Sequence, residues 1–294
     1  MKINLYNDFH NGDIFYSRII IEHLLKNGFE VSYNHGMSPY ILSDYGDIYD
    51  GPLDPTIHSS RGPNNFEKNI INTWIGKEDA KYVKVDACSF KGYIPLVEDI
   101  FNYYGITYTN EEELLPTIRF NNIDQNIRNK ISDKIQEIKK SYSKIILICN
   151  NECLSGQSQN FDFDPVIDYM SKKYEDSCAF FITNQTQVDN KNIIKIPNIT
   201  EGYDSDLLLI SYISLWCDII VGRASGPYCY THIKENLLNK NKTYISFTYY
   251  LSEGVWYENS KAKQVWSGNY DLNHVSEIIE NEIKNTIVKE LFDD

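Results

Sequence analysis

The first 33 residues show a short strand-like segment, then apolar residues at a helical spacing, then a second strand-like segment. The run over residues 2–6 predicts a strand, and the polar residues 7–13 predict a turn after it. Apolar residues at helical spacing over 14–26 predict a helix, which the Asn27-Gly28 pair ends. Residues 29–33 predict a second strand. This order is typical of the opening of a doubly wound parallel sheet.

The next part of the chain is less regular. Residues 34–69 carry repeated Gly, Pro, Asp and Asn, which are typical of turns and loops. The elements predicted here are short strands at 40–42 and 47–49, a buried strand at 70–75, a helix at 92–104 and a short helix or turn at 111–115.

Residues 122–142 have the clearest helical pattern in the sequence. Isoleucine recurs every four or three residues, at positions 123, 127, 131, 135 and 138, which predicts one apolar stripe on a charged helix. The apolar run 144–149 follows and predicts a buried strand. We place the domain boundary here, with an N-terminal domain at 1–121 and a connecting helix at 122–142.

The second half repeats the alternation of strand and helix. It predicts strands at 144–149, 179–183, 192–196, 218–221 and 243–247. It also predicts four helices: one that starts at Asp164, one over 206–216, one that ends near Leu238 and one over 272–292. Such alternation predicts largely parallel sheets. We therefore expect an α/β fold of two Rossmann-like domains facing across a cleft, with a C-terminal domain at 143–271 and a final helix at 272–294.

Composition narrows the choice of partners. The 294 residues carry a formal net charge of −13, whereas nucleic-acid binders need a basic surface, so no nucleic-acid partner is expected. The chain shows no signal peptide and no apolar run long enough to span a bilayer. None of the six cysteines forms a CxxC pair. We therefore expect a cytoplasmic protein with reduced thiols.

Ligands of open α/β sheets bind beyond the carboxyl ends of strands, which directs attention to three loops. In the first, residues 7–13, Gly12 permits close backbone approach. Asp13 has two interpretations, a capping residue of its helix or a general base assisted by His10. Spacing alone leaves both open.

The second loop, residues 150–158, holds small and polar residues that suit a phosphate, or form an ordinary connection. We assign Asn150, Ser155, Gly156 and Gln157 to donor binding. In the third loop, residues 222–227, small residues before a helix suit a diphosphate, and Arg223 could pair with phosphate oxygens as a planar fork. Its alternative is a plain turn at Ser225, Gly226 and Pro227. Neither GxxxxGK[ST] nor GxGxxG occurs.

Three further features carry weaker signals. Trp74 and Lys77 end a predicted strand and could border the acceptor, although a tryptophan there is more often core. His232 either caps a nucleotide site or is a structural histidine. Asp162-Phe163-Asp164 has the letters of a metal motif, but it stands where a helix start favours aspartate. We therefore predict no metal site.

Two of these loops resemble known motifs. The segment Asn11-Gly12-Asp13-Ile14 resembles the Gly-Asp element of GT-B glycosyltransferases of the ADP-heptosyltransferase group, glycosyltransferase family nine. The segment Ala224-Ser225-Gly226-Pro227 resembles the Asp-Ser/Thr-Gly-Pro loop of that group, with Ala224 in place of the acidic residue.

The resemblance implies an inverting, metal-independent glycosyltransferase of polysaccharide biosynthesis. Asp13 would be the catalytic base, and residues 225–227 would hold the diphosphate of a nucleotide-sugar donor, with no cofactor. The acceptor would be a glycan or another hydroxyl compound, and a lipid-linked glycan would imply peripheral membrane association. The alternatives are a sugar-nucleotide epimerase or hydrolase on the same architecture, and a non-catalytic nucleotide- or sugar-binding protein.

Overall fold

A computed structural model describes residues 1–58, 64–74, 90–204 and 206–290 of the chain. The described residues divide into two compact units, Met1–Asn122 with Trp256–Asn259, and Ile123–Val255 with the residues from Ser260 onward. The charged helix after residue 122 therefore belongs to the second unit, as does the final helix. Within the described ranges, no helix is both long and apolar enough to cross a membrane.

Unit 1 is built on a parallel sheet in the order β2-β1-β3. Its strands are β1 Lys2–Asn7, β2 Glu30–His35 and β3 Ile70–Asn72. The register pairs the last residues of the first two strands, Asn7 and His35. The segment predicted as a strand at 47–49 contributes a bridge between Tyr33 and Tyr49.

The helices of unit 1 correct two predictions from the sequence. The helices are α1 Asn11–Tyr16, α2 Arg18–Lys26 and α3 Phe90–Tyr104, with 3-10 turns at Pro39–Tyr45, Phe66–Lys68, Glu111–Leu114 and Phe120–Asn122. The single helix predicted at 14–26 is two, because the Ser17 hydroxyl donates to the Ile14 carbonyl at 2.5 Å where they meet. The strand predicted at 40–42 is wrong, since Ser38 and Pro39 start a helical turn there.

The short segment Trp256–Asn259 returns to unit 1 from late in the sequence. The Trp256 ring stacks on Tyr16, the last residue of α1, with centroids 3.8 Å apart. Its carbonyl accepts the Phe90 amide at the start of α3. This segment therefore packs against the end of the helix that carries Asp13.

Unit 2 contains a parallel sheet in the order β6-β5-β4-β7-β8-β9, which is the strand order of a Rossmann fold. Its strands are β4 Lys144–Cys149, β5 Cys178–Ile182, β6 Ile193–Lys195, β7 Ile219–Gly222, β8 Thr243–Phe247 and β9 Lys263–Ser267. The chain order reverses between β4 and β7, so the loops after these two strands flank the topological switch point.

The helices of unit 2 cover its sheet. They are α4 Gln125–Lys139, α5 Asp164–Lys173, α6 Ile196–Thr200, α7 Asp206–Ser214, α8 Gly226–Cys229, α9 Lys234–Leu237, α10 Leu251–Gly254 and α11 Leu272–Glu290. One core is formed by apolar faces of β4, β5, β7 and β8 against α5 and α11. The single helix predicted to end near Leu238 is wrong, since α8 and α9 are separate short helices.

Candidate functional site

The loop after β1 brings Asp13 to the carboxyl edge of the unit 1 sheet. Asp13 lies in the first turn of α1, and its Oδ2 accepts the His10 amide at 3.1 Å. Burial raises the pKa of the Asp13 carboxyl to about 6, against the lowering effect of the His10 amide bond. The carboxylate thus caps its own helix with one oxygen and has the proton affinity of a general base.

A buried polar network fixes this loop on the sheet. Asn7, the last residue of β1, donates to the Thr73 hydroxyl at 3.0 Å and accepts the Phe9 amide at 2.9 Å. The Tyr33 hydroxyl from β2 lies 2.8 Å from the same Thr73 oxygen. The ends of all three strands are therefore joined beneath the Asp13 loop, which limits its movement.

The other residues predicted around Asp13 take different places. His10 is exposed and precedes α1 as its N-cap, while Gly12 is partly buried within the helix. Trp74 is buried, with its ring 6.3 Å from that of Phe9 and 5.4 Å from that of Tyr93. It is a packing residue of unit 1, the more common role for a tryptophan at a strand end. Lys77 lies outside the described residues.

In unit 2, Arg223 joins the loops at the switch point. Its guanidinium donates to the Asn150 carbonyl and to the Phe161 carbonyl, both at 2.8 Å, and lies over the rings of Phe161 and Phe163. The residue is 2% exposed, and burial lowers its pKa. This position corrects the prediction that Arg223 pairs with phosphate, because the planar fork is committed to two carbonyls.

The loop after β4 is tied to two neighbouring loops. The Cys153 thiol donates to the Ala224 carbonyl after β7 at 3.3 Å. The Ser158 hydroxyl donates to the Phe247 carbonyl at 2.7 Å, and the Tyr249 amide donates to the Gln157 carbonyl at 3.0 Å. The loops after β4, β7 and β8 therefore form one hydrogen-bonded assembly at the carboxyl edge.

The donor-binding residues predicted from the sequence lie within this assembly. Asn150 accepts the Asn184 amide at 2.8 Å through its side chain, and the Ser155 hydroxyl donates to Gln157 at 2.7 Å. Gly156 has φ +73°, which favours glycine in this exposed turn. The sequence did not single out Cys153, Ser158 or Tyr249, since a lone thiol, hydroxyl or tyrosine in a loop carries no pattern.

The Ser-Gly-Pro loop presents a small set of donors. The Ser225 hydroxyl is buried and has no hydrogen-bond partner within the described part of the chain. The Ser225 amide donates to the Arg223 carbonyl, and Pro227 has no amide hydrogen. Gly226 and Tyr228 supply the remaining N–H groups of the first turn. Because α8 is only four residues long, individual donors count here rather than the dipole of a long helix.

His232 has the structural role. It is buried between the rings of Tyr228 and Tyr244, with centroids 4.9 and 5.1 Å away. Burial lowers its pKa to about 3, so the ring is neutral near pH 7. Its aromatic contacts support the packing under the Ser-Gly-Pro loop.

We predict that Arg223→Lys destabilises the protein by about 1–3 kcal/mol, since one ammonium cannot replace a planar fork that bonds two carbonyls. Urea unfolding measures this loss, with the exposed Lys191→Arg as the control. Unchanged stability together with a loss of nucleotide affinity would contradict the structural role and restore the phosphate-binding one.

The sequence matches no protein-family model and no curated protein. The structure, in contrast, is similar to a family 9 glycosyltransferase from Veillonella parvula DSM 2008, at 14% identity, TM-score 0.53, and coverage of 95% of this chain and 90% of that one. It is similar to the E. coli heptosyltransferase WaaC with ADP, at 6% identity, TM-score 0.53, and coverage of 96% and 99%. WaaC with ADP-2-deoxy-2-fluoro heptose gives 7% identity, TM-score 0.51, and coverage of 96% and 100%.

These matches span nearly the whole chain. The α/β fold of two Rossmann-like domains, GT-B in type, is therefore confirmed, and so is the predicted resemblance to the heptosyltransferase group at the level of the fold.

Proposed function

We propose that this protein is a glycosyltransferase that moves a sugar from a nucleoside-diphosphate donor to a hydroxyl of a glycan, with inversion at the anomeric carbon. The observation that carries the proposal is the Asp13 carboxyl, whose pKa is raised to about 6 on a loop at the carboxyl edge of its sheet. The fold shared with a heptosyltransferase solved with ADP supports the donor class.

In the proposed reaction, Asp13 takes the proton of the acceptor hydroxyl as that oxygen attacks the anomeric carbon. The new C–O bond forms while the bond to the diphosphate oxygen breaks, and the nucleoside diphosphate leaves with the electron pair. One displacement by one nucleophile inverts the configuration of that carbon.

The leaving diphosphate gains negative charge in the transition state. We assign its stabilisation to the Ser225 hydroxyl, which lacks a partner in the described residues, and to the first-turn amides of Gly226 and Tyr228. Donors fixed in advance are effective at this step because they need no reorganisation. Since the protein supplies these donors, we propose that transfer needs no metal.

The proposal is tested by the release of nucleoside diphosphate from a panel of ADP-, UDP-, GDP- and CDP-sugars, with glycan extracts as acceptors. We expect one donor to give acceptor-dependent release that persists in EDTA. Release without any acceptor requirement would instead indicate a hydrolase, and isomerisation of the donor sugar without net release would indicate an epimerase. Nucleotide binding with no release from any donor would indicate a binding protein.

A further inference from the structure

One carboxylate oxygen of Glu253 is buried in the loop after β8. Glu253 lies in α10, and its Oε2 has no hydrogen-bond partner within the described residues. Burial raises the pKa of this carboxyl, against the lowering effect of a hydrogen bond from the Tyr250 backbone. Buried polar atoms in folded proteins are nearly always hydrogen-bonded, so an exception at a ligand-binding edge calls for a partner that the chain does not supply.

Contacts on both sides hold this loop in place. The Thr248 hydroxyl donates to the Tyr250 carbonyl at 2.8 Å, and the indole nitrogen of Trp266 donates to the Thr248 carbonyl at 3.1 Å. The Tyr249 amide donates to the Gln157 carbonyl in the loop after β4. Glu253 is thus carried by the same assembly that holds the Ser-Gly-Pro loop.

The residue after Glu253 explains how closely α10 approaches the sheet. A Cβ at Gly254 would lie 1.9 Å from the Ser246 Oγ and 2.8 Å from the Thr248 Oγ1. Only glycine fits against the end of β8 at this distance. The backbone beside Glu253 is therefore fixed close to the carboxyl edge of the sheet.

The chemistry of the Glu253 carboxylate limits the kind of ligand that it can bind. A carboxylate repels the diphosphate, whose charge has the same sign, and it accepts hydrogen bonds from hydroxyl groups. The neighbouring Tyr250 is 67% exposed and offers an aromatic face to an apolar surface of a ligand. A nucleotide sugar carries its hydroxyls on the ribose and on the transferred sugar, the two groups that flank the diphosphate.

We propose that Glu253 accepts a hydrogen bond from a sugar hydroxyl of the bound donor and thereby selects that donor. This inference rests on the proposed function, because it takes the ligand to be a nucleotide sugar. The hydroxyl belongs either to the ribose or to the transferred sugar. Both groups offer the same hydrogen-bond donor, and the ligands used in the test distinguish between them.

The test is calorimetric titration of the full chain and its Glu253→Gln variant with ADP, UDP and GDP, then with ADP-glucose, UDP-glucose and GDP-mannose. We expect Glu253→Gln to weaken nucleotide-sugar binding by about tenfold or more, the loss expected for a hydrogen bond to a charged group. Glu137→Gln is the matched control, since Glu137 is exposed on α4.

The ligands then identify the source. Loss for the nucleotide sugar with unchanged affinity for the diphosphate assigns the hydroxyl to the transferred sugar. An equal loss of affinity for the nucleotide sugar and for the diphosphate assigns the hydroxyl to the ribose, provided that the 2′- or 3′-deoxy diphosphate shows no such loss. Unchanged nucleotide-sugar affinity in Glu253→Gln overturns the inference alone.

Two controls keep the outcome unambiguous. If wild type binds none of these ligands and releases no nucleoside diphosphate from any donor of the panel above, the proposed function fails and the inference with it. If Glu253→Gln lowers the unfolding midpoint, Glu253→Asp is titrated in its place, because it keeps the charge and shortens the side chain by one methylene. Wild-type affinity in that folded variant would overturn the inference, because a positioned hydrogen bond requires the full length.

Discussion

Replacing Asp13 with asparagine is expected to lower the turnover of sugar transfer by about 10²–10⁴-fold, the usual contribution of a general base. Asparagine has nearly the same shape, and its carbonyl oxygen can still accept the His10 amide that Asp13 accepts at 3.1 Å. The loss would therefore come from proton transfer and not from a displaced helix. Donor affinity should change little, because the diphosphate is assigned to unit 2.

The pH dependence of the wild type follows from the same carboxyl. The base acts only when it is deprotonated, and its pKa is raised to about 6. Activity should therefore be lost as pH falls through about 6 and reach a plateau above about 7. A carboxyl with an ordinary pKa near 3.8 would keep full activity down to about pH 5.

Stability should move in the opposite direction to activity. The pKa of Asp13 is higher in the folded protein than in the unfolded chain, so the folded state binds the proton more tightly. The charged carboxylate therefore destabilises the fold as pH rises from about 4 to about 6. At pH 8, Asp13→Asn should therefore be as stable as wild type, or more stable by up to about 1–2 kcal/mol.

The matched control is Asp8→Asn, because Asp8 is an exposed carboxylate of the same loop. Steady-state kinetics from pH 5 to 9 and urea unfolding at pH 8 would be measured on both variants and wild type. A full-rate Asp13→Asn would remove Asp13 from the chemistry. A variant that is inactive but also strongly destabilised would assign the carboxylate to helix capping.

The strands of unit 2 show how much of the fold the sequence pattern could predict. Segments dominated by apolar residues predicted Lys144–Cys149 and Thr243–Phe247 to the residue, because the buried strands of a parallel sheet are rich in apolar side chains. In contrast, Lys263–Ser267 carries mixed residues at the edge of the sheet and was not predicted. Only its pairing with the neighbouring strand makes it a strand.

The candidate site was predictable in place but only partly in role. The rule that ligands bind at the carboxyl ends of strands located the loops of Asp13 and Ser225. Local sequence could not show that Arg223 would turn inward, because its two carbonyl partners lie 62 and 73 residues away in the chain. The raised pKa of Asp13 likewise depends on burial, which spacing does not report.

A buried ion pair in unit 1 gives the second large effect. Arg18 of α2 and Asp44 of the turn Pro39–Tyr45 are both fully buried and form two parallel hydrogen bonds of 2.8 Å. Arg18 also donates to the Ile41 carbonyl at 2.6 Å, while Asp44 accepts the Arg119 amide at 2.9 Å. The pair therefore joins α2 to two segments distant from it in sequence.

Removing one partner leaves the other charge buried without compensation. We expect Arg18→Met to lower the free energy of unfolding by about 3–5 kcal/mol, since methionine fills much of the volume but bonds neither the carboxylate nor the Ile41 carbonyl. Urea unfolding at pH 7 measures the loss. Lys172→Met is the control, because its ion pair with Asp168 is exposed and should contribute about 1 kcal/mol or less.

The double variant separates the pair from the volume of its side chains. Arg18→Met with Asp44→Asn leaves no uncompensated charge, and the asparagine oxygen can still accept the Arg119 amide. Its cost should therefore be smaller than the sum of the two single costs by more than about 1 kcal/mol. Strict additivity would mean that packing, and not the ion pair, holds these segments together. A loss in Arg18→Met no larger than in Lys172→Met would mean that the charge of Asp44 finds water or another partner once Arg18 is gone.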